Sequence, residues 1–256
     1  MLEYSRERVK ESPYWVLEAK PHTDSYAQTV ETVSWLLRDA VKRQLVSDVP
    51  VCSFLSGGID SSVVTAIASR QLGQEGVTLN TFSFDFAHND ACFQSNAFQP
   101  TRDRPYVDQV LALYPLHHTY LECDEATLAG LLGDAVRMKD LPGMTDVDAS
   151  LLYFCGLVKQ HNKVALTGEC ADEIFGGYPW FYREDLLRVD GFPWSPDLSA
   201  RTALLSDEAI HELNLEEYTR ERYRDTLAQV PLLPEEKAET RRSGHDLSAA
   251  VLRIFQ

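Results

Sequence analysis

The order of apolar and polar residues predicts strands and helices that alternate over much of the chain. Residues 25–28 have the form of a capping box, and an apolar stripe with helical spacing follows them as far as Leu45. The mostly apolar run 51–55 then stops at two glycines, which is typical of a buried strand. A second helical stripe covers residues 63–72, and Gly73 is its expected end.

The alternation continues as far as residue 167 and then gives way to a helical, charged pattern. Such an alternation predicts an α/β fold, with a mostly parallel, doubly wound sheet that has helices on both faces and is followed by a helical segment. The expected domains are a helical lead-in (1–48), an α/β core (49–180) and a helical C-terminal segment (181–256). Further strands are predicted at 77–86, 117–121 and 164–167, helices from Pro105 and over 128–136 and 151–158, and loops at 87–104 and 140–146.

The composition limits the classes of function. Of 256 residues, 44% are hydrophobic and 25% are charged, as in ordinary globular domains. The formal net charge of −15 argues against a nucleic-acid partner, because phosphate contacts need clustered Lys and Arg. No stretch is long and apolar enough to predict a membrane span. The five cysteines show no paired or metal-ligand spacing, so we expect reduced, mostly buried thiols and a cytoplasmic protein.

The turn SGGIDSS, residues 56–62, is a candidate phosphate-binding site. Ligands of a parallel sheet bind at the carboxyl ends of its strands, and this turn joins a predicted strand to a predicted helix. Gly57 and Gly58 let backbone amides approach an anion, and the N-terminus of a helix favours phosphate. Hydroxyl donors are available from Ser56, Ser61 and Ser62.

Asp60 is the unusual residue of this turn, because a carboxylate beside phosphates repels them. Its presence is explained if a Mg²⁺ ion lies between the carboxylate and the phosphates. The alternative is an ordinary glycine-rich turn before a polar first helical turn. The segment has no GxxxxGK[ST] lysine, so it is not a Walker-type loop.

A second segment, VALTGECADEIFGGYPWF at 164–181, places acidic residues after the last predicted strand. Glu169, Asp172 and Glu173 lie within five residues of each other, which indicates a metal site or a general base. The alternative is a solvated acidic turn that leads into a short helix. Asp140 and Asp146, in the loop before the preceding helix, are open to two readings as well: orientation of a substrate amino group, or an Asx-rich turn.

These two segments resemble a known family. SGGIDSS is similar to the pyrophosphate-binding loop of the ATP pyrophosphatases, whose fold is the adenine nucleotide alpha hydrolase type. Residues 167–178 are similar to the SGEGSDEVFGGY signature of the asparagine synthetase domain, and the resemblance extends from the helix before Pro50 to the GGYPWFYRED region. It implies that L-aspartate is adenylated on its side chain by ATP, with release of pyrophosphate, and that ammonia then displaces AMP to give asparagine.

The resemblance also assigns roles to residues. It implies that Asp60 and Asp172 hold Mg²⁺ and that Glu169 assists the attack of ammonia. The β-lactam synthetases have a tyrosine at the position of Glu169, so glutamate here favours amide formation. A related adenylating enzyme with another acid, and a nucleotide-binding domain without turnover, remain alternatives. The ATP and pyrophosphate contacts implied are Phe54, Ser56, Gly57, Gly58, Asp60, Ser61, Ser62, Phe84, Thr167 and Gly168.

The family's glutaminase domain, which supplies ammonia from glutamine, begins with a cysteine that this chain lacks after Met1. The lysine and arginine that the family uses for adenylation further along have no counterpart here. We therefore expect the chain to be part of a longer synthetase, with the glutaminase as the source of ammonia. A homodimer is compatible with the sequence, which does not fix the oligomeric state.

Overall fold

The computed structural model divides the chain into two compact units. One unit comprises residues 24–169, and the other combines residues 1–23 with the chain from residue 170 onward. The residues that the structure describes are 1–15, 22–95, 101–141 and 143–229, without the side chains of Thr145, Asp146 and Gln229.

The unit of residues 24–169 contains a parallel sheet surrounded by helices. The strand order is β5-β4-β3-β6, and every neighbouring pair is parallel, as predicted. Its elements are α1 (Tyr26–Gln44), β3 (Val51–Phe54), α2 (Ile59–Gln74), β4 (Leu79–Phe86), α3 (Asn89–Cys92), α4 (Arg104–Leu113), β5 (Leu116–Cys123), α5 (Glu125–Lys139), α6 (Thr145–Val158) and β6 (Val164–Leu166), where β1 and β2 belong to the other unit.

The helices cover both faces of the sheet, which confirms the predicted α/β class. On one face, Val41 of α1 and Ala68 of α2 pack with Leu79 of β4, and α4 closes the same face around Leu55. On the other face, Val158 of α6 packs against the sheet, and α5 packs on α6. Successive side chains of a strand point to opposite faces, so each strand contributes to both layers of the core.

The second unit contains a hairpin and short helices. The strands β1 (Leu2–Tyr4) and β2 (Val9–Glu11) pair antiparallel, a hairpin that the sequence pattern did not indicate. The part after residue 170 contains helices. The helical segment was predicted over 181–256, which is confirmed for 181–229, and residues 230–256 lie outside the described residues. Its elements are α7 (Ala171–Phe175), a 3₁₀ helix (Pro179–Phe181), α8 (Glu184–Leu187), α9 (Ser199–Thr202), α10 (Asp207–Leu213) and α11 (Leu215–Gln229).

Four local predictions were wrong. Residue 145 already belongs to α6, so the predicted loop 140–146 is shorter, and α3 lies in the predicted loop 87–104, of which 96–100 are outside the described residues. The helix α2 continues past Gly73 to Gln74. All five cysteines are free, but only Cys52 and Cys123 are buried, so the thiols are not mostly buried. Among the described helices, none has the length and apolarity to cross a membrane.

Candidate functional site

The turn between β3 and α2 needs glycine at one of its two glycine positions. Gly57 has φ +82°, in the left-handed region that side chains avoid. A Cβ atom on Gly57 would lie 2.8 Å from the backbone oxygen of Asp103 and 2.9 Å from the Cβ of Tyr106. Gly58 instead is extended, with φ −65°, and a Cβ atom there would meet only the hydroxyl of Ser56, at 3.4 Å. The turn therefore lies tightly against the start of α4 at Gly57 and is open at Gly58.

Backbone amides are available at the start of α2. The N–H of Ser62 donates to the Gly58 oxygen at 3.1 Å and begins the helical ladder. Before it, the N–H groups of Ile59, Asp60 and Ser61 have no acceptor among the residues that the structure describes. Unpaired amides at a helix N-terminus, together with the helix dipole, form a site suited to an anion.

Two serine hydroxyls hold the turn in shape. The hydroxyl of Ser61, which is 7% exposed, accepts from the Ser56 amide at 3.2 Å and donates to the Gly58 oxygen at 3.2 Å. The two hydroxyls of Ser56 and Ser61 lie 3.0 Å apart. The Ser61 hydroxyl is thus engaged within the turn, whereas Ser56 is exposed.

The end of β6 packs closely against the first turn of α2. A Cβ atom on Gly168 would lie 2.6 Å from the Ser61 nitrogen and 2.9 Å from the carbonyl carbon of Asp60. Only glycine permits this approach. It brings the segment from Thr167 to Glu169, which follows β6, beside the amides of the turn.

A cleft of about 460 Å³ lies where these segments meet. The charged residues among those that line it are Asp60 and Glu169, both acidic. Of the predicted nucleotide contacts, Gly57 and Ser62 do not line it. The predicted residues that do are Phe54, Ser56, Gly58, Asp60, Ser61, Phe84, Thr167, Gly168 and Glu169.

One wall of this cleft is aromatic. The rings of Phe84 and Phe154 stack at 4.5 Å with an interplanar angle of 6°, and Phe54 meets Phe84 edge-on at 4.8 Å. Phe154 comes from α6, and Phe86 lies at the end of β4. The apolar face of α6 is evident from the sequence, but its place in this cleft is not, because periodicity does not say where a helix packs. The lining residues that it missed are Phe86, Val147, Ser150, Leu151 and Phe154.

Glu169 and Asp172 belong to different units. Glu169 is exposed at the cleft. The pKa of the nearby Cys155 thiol is raised mainly by burial of the thiol and, second, by the negative charge of Glu169. Asp172 lies in the first turn of α7, where a Cβ atom on Gly177 would overlap its carboxylate. Within the described ranges no group of three or more His, Cys, Asp or Glu is arranged to hold a metal. The Asp60 carboxylate beside open amides suits Mg²⁺, which prefers oxygen ligands, and the pairing of Asp60 with Asp172 stays a prediction.

The two readings of Asp140 and Asp146, at the end of α5 and the start of α6, stay predictions. Asp140 has φ +60° at the exposed end of α5 and does not line the cleft, and the side chain of Asp146 lies outside the described atoms. Asp148 instead forms an ion pair with Lys139 at 2.6 Å, with its side chain 11% exposed. It ties the start of α6, which bears Val147 and Ser150 of the cleft wall, to the end of α5.

Comparison with known proteins places these features in a wider group. The asparagine synthase family profile matches residues 32–253. An asparagine synthetase (glutamine-hydrolysing) 3 of Bacillus subtilis is 48% identical over 91% of this chain and 38% of its own length. The amidase chyE of Penicillium rubens is 32% identical over 73% of this chain and 29% of its own length. A putative asparagine synthetase (glutamine-hydrolysing) 2 of Methanocaldococcus jannaschii is 29% identical over 73% of this chain and 35% of its own length. The chain spans well under half the length of these curated relatives.

Proposed function

The chain belongs to the asparagine synthase family, and on this premise we propose that it carries the synthetase reaction of an ATP-dependent, amide-forming carbon–nitrogen ligase. The observation that supports this most is the cleft itself. Open amides, the Asp60 carboxylate and Glu169 converge there from the ends of two neighbouring parallel strands. Such a meeting of strand ends is where an α/β sheet binds its ligand.

In the first step, the side-chain carboxylate of L-aspartate attacks the α-phosphorus of ATP. The bond to the β-phosphate breaks, which gives β-aspartyl-AMP and pyrophosphate. The amides of Ile59, Asp60 and Ser61, which have no acceptor among the described residues, would stabilise the charge that grows on the leaving pyrophosphate. Mg²⁺ held by Asp60 and Asp172 would supply neutralising charge for the phosphates.

The nucleotide would lie along the aromatic wall. Phe54 and Phe84 would contact the adenine, and Thr167 and Gly168 the rest of the nucleotide. The close approach at Gly168 keeps this segment next to the phosphate-binding turn.

In the second step, ammonia attacks the acyl carbon, and the bond to AMP breaks. Glu169 would take the proton that the nitrogen loses, because its carboxylate lies at the cleft and is open to solvent. The names of several relatives say that they hydrolyse glutamine, so we propose glutamine as the source of ammonia.

Pyrophosphate release and asparagine formation, measured together in the natural polypeptide, test this proposal. Asp60→Asn should lower the rate of pyrophosphate release more than tenfold, as expected when a group that stabilises charge in the transition state is lost. Glu169→Gln should reduce asparagine formation while ATP–pyrophosphate exchange persists. Asp48→Asn, at an exposed carboxylate outside the cleft, is the matched control. Normal turnover of Asp60→Asn would contradict the proposal.

A panel of acids tests the substrate. Aspartate should give the highest kcat/KM for pyrophosphate release among amino acids and simple dicarboxylates. A strong preference for another acid would still support the ligase reaction, but it would assign the chain to a related adenylating enzyme with a different substrate.

A further inference from the structure

A second cleft, of about 690 Å³, opens in the same unit beside the first. It shares Ser56 and the three phenylalanines Phe54, Phe84 and Phe86 with the first cleft, so the two adjoin at the phosphate-binding turn. We call it the α4 cleft, because Arg102, Asp103, Arg104 and Val107 from the start of that helix form one side. Unlike the first cleft, it contains both signs of charge.

Arg104 supplies a positioned cation in the α4 cleft. Its guanidinium lies 4.1 Å from the centre of the Tyr120 ring and 3.8 Å from the Glu122 carboxylate. The Tyr120 hydroxyl donates to Asp108 at 2.7 Å, which fixes the ring under the guanidinium. The distance to Glu122 is too long for a good hydrogen bond, so N–H donors of Arg104 stay available to a ligand.

Two carboxylates from neighbouring strands line the same cleft as this cation. Asp85 of β4 and Glu122 of β5 are register partners in the parallel ladder, so they point to the same face of the sheet. The Asp85 Oδ1 accepts from the Phe86 amide at 2.8 Å and from the Asn89 side chain at 2.7 Å. These bonds orient the carboxylate and leave Oδ2 without a donor among the described residues.

We propose that the α4 cleft binds the α-amino-acid end of the acid substrate, with Arg104 on the α-carboxylate and Asp85 and Glu122 on the α-ammonium. This assignment rests on the proposed function. The first cleft, whose charged lining residues are both acidic, would repel an α-carboxylate, whereas the α4 cleft is lined by the guanidinium groups of Arg102 and Arg104 as well as by carboxylates. The reacting side-chain carboxylate then extends past Ser56, where the two clefts meet, toward the nucleotide.

The assignment is tested by removing one charged group at a time, from the substrate and from the protein. The natural polypeptide is assayed for pyrophosphate release with L-aspartate, with succinate, which lacks the ammonium, and with β-alanine, which lacks the α-carboxylate. Arg104→Ala should lower kcat/KM for aspartate at least tenfold through KM, and leave KM for ATP within twofold. The same change should have little effect on kcat/KM for β-alanine, which has no α-carboxylate for Arg104 to bind.

Asp85→Asn is the complementary variant. It keeps the Oδ1 acceptor of the Phe86 and Asn89 bonds, so the local fold is maintained while the negative charge is lost. It should lower kcat/KM for aspartate and for β-alanine at least tenfold and leave kcat/KM for succinate nearly unchanged. Arg70→Ala is the control, because Arg70 also lies over a tyrosine ring, that of Tyr114 at 5.5 Å, but lines neither of these clefts.

Three results would overturn the assignment. They are a KM for aspartate within twofold of wild type in both variants, an equal rise in the KM for ATP, and a rise in the KM for ammonia alone. If the wild-type protein releases no pyrophosphate with any acid, the proposed function has failed. Calorimetric binding of L-aspartate then decides the assignment: binding that Arg104→Ala abolishes supports it, and no binding to wild type overturns it.

Discussion

At the scale of single residues, two adjacent glycines in the turn after β3 have different reasons to be glycine. Gly57 combines a left-handed φ of +82° with contact to the backbone of Asp103. Gly58 has an ordinary extended conformation and space for a Cβ. From the sequence, both glycines have the same predicted role, approach to an anion. The difference between them is not visible there, because the contact that requires glycine at position 57 comes from the start of α4.

We predict that Gly57→Ala destabilises the chain by more than about 2 kcal/mol. The left-handed conformation alone costs an alanine about 1–2 kcal/mol, and the overlap with the Asp103 oxygen adds to it. Gly58→Ala, the matched control, should cost no more than about 1 kcal/mol, since alanine is a poorer N-cap residue than glycine but the extended position has space for a Cβ. Urea unfolding of both variants measures the difference. Equal losses would show that the conformation of Gly57 is not what selects glycine.

At the scale of elements, the pairing of β4 with β5 determines the surroundings of one histidine. The Nδ1 of His118 on β5 lies 2.9 Å from the Thr81 hydroxyl on β4, and its Nε2 is buried without a partner among the described residues. Burial lowers the pKa of His118; the charge of Asp108 opposes this shift and that of Arg104 adds to it. The imidazole is therefore held neutral between the strands.

This lowered pKa predicts acid sensitivity. Below about pH 6.5, the ordinary pKa of histidine, the unfolded chain binds a proton that the folded chain resists, so stability falls as the pH decreases. His118→Gln should reduce the pH dependence of the unfolding free energy between pH 7.5 and 5.5 by up to about 1.4 kcal/mol per pH unit, the slope for one proton. His117→Gln, at the exposed neighbouring position, should keep the wild-type slope. Identical slopes for wild type and His118→Gln would refute this account.

The elements also show what sequence can predict. The capping box at Ser25 and Gln28 forms as predicted, with both reciprocal bonds, because capping depends on residues three apart in the chain. The strands β3 to β6 were recognised for the same local reason. The hairpin of β1 and β2 was missed, since it is short and exposed and so lacks an apolar pattern. The place of Phe154 in the cleft depends on how α6 packs on the sheet, which local spacing does not encode.

At the scale of the whole molecule, the predicted Mg²⁺ ligands are divided between the two compact units. Asp60 belongs to the unit of residues 24–169, and Asp172 to the unit that continues from residue 170. If both carboxylates hold one ion, the stabilisation that Mg·ATP gives depends on both of them. Removal of either carboxylate should then remove the Mg²⁺-dependent part of the stabilisation that ATP gives to the folded chain.

Thermal unfolding of the chain with ATP, with and without Mg²⁺, tests this dependence. A ligand at 100 times its Kd stabilises the folded state by about 2.7 kcal/mol, so a formed site gives a measurable rise in melting temperature. We predict that Asp60→Asn and Asp172→Asn each remove the Mg²⁺-dependent part of that rise, and that the double variant loses no more than either single one. Glu173→Gln, a neighbouring carboxylate that accepts from the Tyr178 hydroxyl, is the control and should keep the rise. Additive losses would mean that the two carboxylates act independently, and an unchanged rise in Asp172→Asn would mean that the second unit contributes no ligand to the ion.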